Sequence, residues 1–85
     1  MYCFKKHIEL NQEMSSINIL DEAWIQKYLD FIEESKEDES MAILLADVLQ
    51  NFVLSKIGEG KTTNPEKCAT LTLKFHDIIF SSFAE

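Results

Sequence analysis

Residues 41–57 read MAILLADVLQNFVLSKI and form the most apolar stretch of the chain. The apolar residues in this stretch recur at steps of three and four, which is the period of an α-helix. They are Met41, Leu44, Leu45, Val48, Leu49, Phe52, Val53 and Ile57, and the stripe is widened by Ala42, Ile43, Ala46 and Leu54. A helix that is apolar over most of its circumference has to be covered by other elements. The stretch therefore predicts a central helix with the rest of the chain packed around it.

The length and composition indicate one small helical domain spanning residues 1–85. Hydrophobic residues make up 46% of the 85 residues, which is enough to form a core. The chain has only two glycines and one proline, so a few long elements are expected rather than many short strands with tight turns. A chain of this size buries roughly 60% of its unfolded surface, and such domains often gain stability from a disulfide, a metal or a second copy.

Three further helices are predicted around the central one, at residues 2–14, 21–35 and 65–83. Each of these ranges carries apolar residues at helical spacing. Asn18 or Asp21 can cap the second helix, and Thr63 or Asn64 precedes a proline that is well placed in the first turn of the last one. Gly58 is predicted to end the central helix in a left-handed conformation. The predicted fold is therefore an all-α bundle of four helices.

An α+β fold is the alternative, because two segments also have strand character. Residues 2–10 are rich in residues that favour strands, and residues 70–75, TLTLKF, alternate strictly between polar and apolar. In this alternative the two segments pair as strands and pack on the middle helices. The helix-start signal at Pro65 and the length of the apolar pattern to Phe83 favour the helix.

The charge of the chain is strongly acidic and unevenly distributed. Fifteen acidic residues outnumber eight lysines, there is no arginine, and the net charge is −7. Such a chain repels phosphate backbones, so direct nucleic-acid binding is not expected. Residues 21–39 contain eight acids and two lysines, which places −6 of the net charge in 19 residues. This stretch favours either simple solubility or a basic protein partner.

Five residues at the end of the acidic stretch are the predicted partner-binding site. They are Asp30, Glu33, Glu34, Glu37 and Asp38. Acidic side chains stabilise the start of a helix and destabilise its end. Glu37 and Asp38 precede the central helix and are well placed to cap it. Glu33 and Glu34 lie at the end of the second helix, so helix electrostatics does not explain them.

Several large apolar residues exceed what a chain of this size needs for its core. Phe4, Leu73, Phe80 and Phe83 are the predicted oligomer contacts, and Phe80 lies off the apolar stripe of the last helix. Their presence predicts a second function, in which the chain forms a homodimer or a larger helical assembly.

Cysteine and histidine residues suggest a third function, a small metal or redox protein. Cys3 and His7 are four residues apart and share a helix face. Cys68 and His76 are eight apart, about 12 Å along a helix, which is too far for one tetrahedral zinc ion. Buried thiols and ordinary histidines are therefore expected, with no metal or cofactor. No catalytic motif is present, so the chain is not expected to be an enzyme.

The start of the chain, MYCFKKHIEL, lacks the apolar core of a signal peptide. The longest fully apolar run of the whole sequence is residues 41–46. A cytoplasmic protein without membrane contact is expected. The size, acidity and helical content are typical of bacterial or phage accessory proteins such as immunity proteins, inhibitors and regulators. The sequence therefore predicts a small acidic module that binds a basic protein and carries out no reaction.

Overall fold

Four α-helices make up the computed structural model, which describes residues 2–34 and 38–83. The helices are α1 (Tyr2–Ser16), α2 (Glu22–Glu34), α3 (Glu39–Glu59) and α4 (Pro65–Phe83). The all-α prediction is confirmed, and the described helix ends lie within two residues of the predicted ones; position 35 lies outside the described residues. Residues 2–10 and 70–75 are helical and the described part of the chain contains no strand, so the α+β alternative is wrong.

The starts of three helices are fixed by side chains that accept backbone hydrogen bonds. The Asp21 carboxylate accepts from the N–H of Ala23 at 3.5 Å, and Asp38 accepts from the N–H of Met41 at 3.3 Å. The side-chain oxygen of Asn64 accepts from the N–H of Lys67 at 3.1 Å. The first N–H groups of a helix have no partner within it, so a short polar side chain at this position stabilises each start.

Helix α3 ends two residues later than the sequence predicts. Gly60, with φ of 73°, adopts the left-handed conformation, and its N–H bonds to the carbonyl of Ile57 at 3.0 Å. The N–H of Lys61 bonds to the carbonyl of Lys56 at 2.9 Å. These two bonds satisfy carbonyls at the helix end. The prediction of Gly58 as the cap is wrong, because Gly58 remains helical and the second glycine supplies the positive φ.

Helix α3 is in contact with all three other helices, which confirms its central position. Its most extensive contact is with α4, and α2 also packs against α4. The buried residues of α3 are Ala42, Leu45, Ala46, Leu49 and Val53. They form a stripe with spacings of three and four, and each large member contributes roughly 1.5–3 kcal/mol by leaving water.

The last helix shows why its alternating segment does not form a strand. Leu71 and Phe75 are four residues apart and both are buried, whereas Leu73 between them is 64% exposed. A strand would place all three side chains on one face. The burial follows the helical period of residues 68–79 instead, because burying that longer stripe against α2 and α3 removes more apolar surface from water.

The covering of α3 is less complete than the sequence predicts. Leu44 is 47% exposed and Leu54 is 49% exposed, although both were expected to be covered. The correction has a simple cause, since three neighbouring helices in so short a chain cover only part of the circumference of α3. By length and composition alone α3 could cross a membrane, a property that core helices of globular proteins share.

The two loops at one end of the bundle are tied together, and we call this region the loop end, residues 17–21 and 60–64. The N–H of Leu20 bonds to the carbonyl of Lys61 at 2.8 Å, and the N–H of Thr63 bonds to the carbonyl of Leu20 at 2.9 Å. The Lys56 ammonium donates to the carbonyls of Ile17 at 3.1 Å and Asn18 at 3.4 Å. A cation just beyond the end of α1 is favoured by the helix dipole.

The molecule is flattened, with Cα extents of 34 × 27 × 16 Å. Helices α2, α3 and α4 contact one another pairwise. They therefore form a triangle in cross-section, with α2 lying across one side of the α3–α4 pair. Helix α3 is about 31 Å long at 1.5 Å per residue, so it cannot run along the short dimension. The side of the α3–α4 pair opposite α2 is thus one of the two broad sides of the molecule.

Candidate functional site

The strongest candidate site is the end of the bundle opposite the loop end, where α2 finishes and α3 begins. We call it the acidic end, and its described members are Asp30, Glu33, Glu34, Asp38 and Glu39, all of which are exposed. On α2, Asp30, Glu33 and Glu34 are separated by three and four residues and therefore share one side of the helix. Of the predicted partner-binding residues, Glu37 lies outside the described part of the chain.

The fold divides the acidic stretch of residues 21–39 into two groups. Asp21 caps α2 and accepts a hydrogen bond from the Thr63 hydroxyl at 3.4 Å. Glu22 forms an ion pair with Lys67 of α4 at 3.4 Å. These two acids lie in or next to the loop end and have structural partners there. The excess negative charge is therefore confined to a smaller region than the sequence suggested.

Two of the predicted binding residues also take part in local structure. The Asp38 carboxylate caps α3, as described above. Asp30 accepts a hydrogen bond from the Gln26 amide at 2.9 Å, one turn earlier on α2. Neither bond uses all the acceptor positions of a carboxylate, which offers about four. Both side chains therefore retain acceptor capacity for a partner.

The electrostatics at the end of α2 are unfavourable for the folded chain itself. The last turn of α2 contains Glu33 and Glu34 and no basic residue. From residue 28 to residue 55 the sequence has seven acids and only one lysine. An acid at a helix C-terminus costs about 0.3–1 kcal/mol, and like charges one turn apart add a few tenths. The position of Glu34 therefore gives the folded chain no stability through the helix dipole.

A second polar cluster joins α1 to α2 around Glu13, and sequence reasoning missed it. The Glu13 carboxylate accepts from the Trp24 indole N–H at 2.7 Å and from the Lys27 ammonium at 3.4 Å. Burial alone would raise the pKa of Glu13, but these hydrogen bonds and the charge of Lys27 outweigh it and lower the pKa. Burial, followed by the nearby charge of Glu13, raises the pKa of the Tyr28 hydroxyl. The cluster holds α1 in place.

Replacing Glu13 with glutamine tests this cluster through pH. Because the folded pKa of Glu13 lies below its ordinary value of 4.5, its contribution is present above that value and is lost as pH falls through the folded pKa. We expect Glu13→Gln to lower the free energy of unfolding by about 1 kcal/mol at pH 7. The gap to the parent should close in acid, as measured by urea unfolding at several pH values.

The matched control is Glu34→Gln, because it removes one exposed carboxylate from the end of a helix without breaking this cluster. This variant should be slightly more stable than the parent at pH 7. Equal effects of the two substitutions, or a gap for Glu13→Gln that widens as pH falls, would contradict the role assigned to Glu13.

The cysteine and histidine residues do not form a chemical site in the part of the chain that the structure describes. Cys68 is a free thiol in the core, and burial raises its pKa. His76 is exposed, with its ring 4.3 Å from the ring of Phe80. The structure does not describe the side chains of Cys3 and His7. Among the described side chains no group of three or more metal-ligand residues comes together.

Two of the four predicted oligomer contacts are among the described side chains. Leu73 is 64% exposed and Phe80 is 57% exposed, whereas the side chains of Phe4 and Phe83 lie outside the described residues. Leu54 of α3 is a further exposed apolar residue that the sequence had assigned to the covered stripe. Its periodic spacing gave no signal that this side of the helix has no neighbour.

Comparison with known proteins identifies no relative, since no protein-family model, curated protein or solved structure matches the chain.

Proposed function

We propose that this protein is a small interaction module without enzymatic activity, and that it docks a basic surface of another protein through its acidic end. The observation that supports the proposal is Glu34, an exposed carboxylate at the end of α2. Its charge opposes the helix dipole, and the last turn of α2 contains no basic residue. A charge that costs stability in the free protein is expected where a positively charged partner compensates for it.

The contrast between the two ends of the bundle supports the same proposal. In and next to the loop end, lysines lie close to acids, with Lys67 3.4 Å from Glu22 and Lys61 3.7 Å from Glu59. The five acids that define the acidic end carry a charge of −5, against −7 for the whole chain. A dipolar charge distribution of this kind orients a basic partner before contact and raises the association rate.

In this proposal the protein acts by occupying a partner, as an inhibitor, regulator or immunity-type accessory protein of a bacterial or phage system does. A cytoplasmic location and the absence of nucleic-acid and membrane contacts remain parts of the proposal. The expected absence of nucleic-acid contacts follows from the net charge of −7 and from the absence of arginine.

Charge reversal at the two ends tests the acidic end as the docking site. Glu34 and Glu59 are both exposed and both stand in the last turn of a helix, so Glu34→Lys and Glu59→Lys make the same charge change in the same helical context. With a partner captured from the source cells, Glu34→Lys should weaken association by about tenfold at low salt. Glu59→Lys should leave it within about twofold.

The dependence of the association rate on salt concentration is a second test of the same pair of variants. The association rate of the parent should fall steeply as ionic strength rises, whereas that of Glu34→Lys should respond less. Equal losses in both variants, or a rate that does not change with salt, would remove the acidic end as the docking site.

A further inference from the structure

Independently of the acidic end, we infer that the outer side of the α3–α4 pair is a contact surface between two copies of this chain. We call it the apolar face and define it by Leu54 of α3 and Leu73 and Phe80 of α4. These residues are 49%, 64% and 57% exposed, respectively. Together they are three of the six large hydrophobic side chains that remain exposed among the described residues.

Helix geometry places the three residues on one side of the molecule. On α3, Phe52 faces α2, with its ring 5.7 Å from that of Trp24. At 100° per residue, Leu54 points roughly 160° away from Phe52. Helix α2 lies over one side of the α3–α4 pair, so Leu54 lies on the other.

The same reasoning applies to α4, where Lys67 marks the side facing α2 through its ion pair with Glu22. Leu73 and Phe80 point roughly 120–140° away from Lys67. They therefore lie on the same outer side of the pair as Leu54. Because α3 and α4 are antiparallel neighbours, Leu54 and Leu73 lie toward the loop end and Phe80 toward the acidic end.

This side is large enough for a dimer interface. It is one of the broad sides of the molecule, and the rectangle of 34 × 27 Å set by the Cα extents gives an upper limit of about 900 Å². Each partner in a standard stable interface buries about 800 Å². Exposed apolar residues spread over such a side, on a chain too short to bury them, are typical of a surface that another molecule covers.

The charges favour a second copy over a membrane. Interfacial helices use lysine or arginine beside their apolar residues to bind lipid headgroups. Here Lys67 and Lys74 are seven residues apart on the α2 side of α4, and Lys56 points to the carbonyls that end α1. Near the middle of the apolar face the helical spacing puts two acids, Asp47 and Asp77, and one histidine, His76. A twofold axis can place His76 of each copy beside a carboxylate of the other, since histidine donates an N–H that a carboxylate accepts.

Sedimentation equilibrium over roughly 1–100 μM tests the inference, a range that covers micromolar dissociation constants. The parent should approach twice the chain mass of 9.8 kDa. Phe80→Gln and Leu73→Gln should each raise the dissociation constant by about tenfold or more, because central apolar contacts dominate interfaces. Ile19→Gln, at an exposed apolar residue of the loop end, should leave it within about twofold.

Each variant changes an exposed residue, and circular dichroism checks that each one is still folded. A parent that stays monomeric throughout the range overturns the inference, as does a dimer that Phe80→Gln and Leu73→Gln leave intact. Flotation with neutral phosphatidylcholine vesicles tests whether a membrane, rather than a second copy, covers the apolar face. A monomer that binds these vesicles, and loses binding in the same two variants, assigns the face to lipid and also overturns the inference.

Discussion

Replacing Leu45 with aspartate is expected to unfold the protein. Leu45 is fully buried in the stripe by which α3 contacts the other helices. The substitution removes about 1.5–3 kcal/mol of apolar burial and places an unpaired carboxylate in the core, which costs several kcal/mol more. A domain of 85 residues has a total stability of roughly 4–13 kcal/mol. Far-ultraviolet circular dichroism should show a large loss of helix.

The neighbouring residue provides a matched control. Leu44 is the same residue type in the same helix, yet it is 47% exposed. Leu44→Asp should lower the free energy of unfolding by less than about 1 kcal/mol, because its charge stays in water. If both variants melted alike, the orientation of α3 would be wrong.

The second large effect is expected for Phe75→Ala, which should lower the free energy of unfolding by about 3–5 kcal/mol. Phe75 is fully buried and is among the largest side chains of the core. Truncating it removes apolar contact and leaves a cavity that the helices on either side fill only in part. Urea unfolding should show a lower midpoint with nearly the same slope.

Phe80→Ala is the control for this substitution, because it makes the same truncation five residues later in the same helix. Phe80 is 57% exposed, so the cost should stay below about 1 kcal/mol when the protein is dilute enough to be monomeric. Equal losses at Phe75 and Phe80 would contradict the helical register of α4.

The sequence predicted three of the four helices from start signals that agree with their apolar periods, and α1 from its apolar period alone. Asp21, Asp38 and Asn64 are short polar residues placed before apolar stripes, and each caps a helix in the structure. The polar–apolar alternation of residues 70–75 favours a strand locally and conflicts with the helical period of the surrounding residues. Tertiary packing resolved it, since the longer helical stripe of α4 buries more surface.

The uncovered side of α3 could not be predicted from the sequence. Periodicity reports which residues share a face, but it does not report how many neighbours the chain can supply. Leu44 and Leu45 both belong to the predicted stripe, and only the positions of α1, α2 and α4 distinguish the exposed residue from the buried one. The predicted end of α3 was wrong for a related reason, because Gly58 and Gly60 are equally able to cap a helix.

The candidate site was predictable only in part. The excess of acids was visible in the sequence. Its division into two groups at opposite ends of the bundle was not, because Glu22 pairs with a lysine 45 residues further along. The cluster around Glu13 gave no signal, since its partners Trp24 and Lys27 lie on another helix. Contacts between helices depend on packing that local patterns do not encode.

Amide hydrogen exchange, followed residue by residue by NMR, tests most directly whether α3 is the helix on which the fold depends. Amides of residues 45–53 should exchange slowest, at rates set by global unfolding, whereas those of residues 5–12 in α1 should exchange fastest among the helices. Among the described side chains of α1, those that pack on the rest of the molecule are chiefly Leu10, Glu13 and Met14. Exchange in α3 as fast as in α1, with α1 or α2 the most protected, would contradict the account.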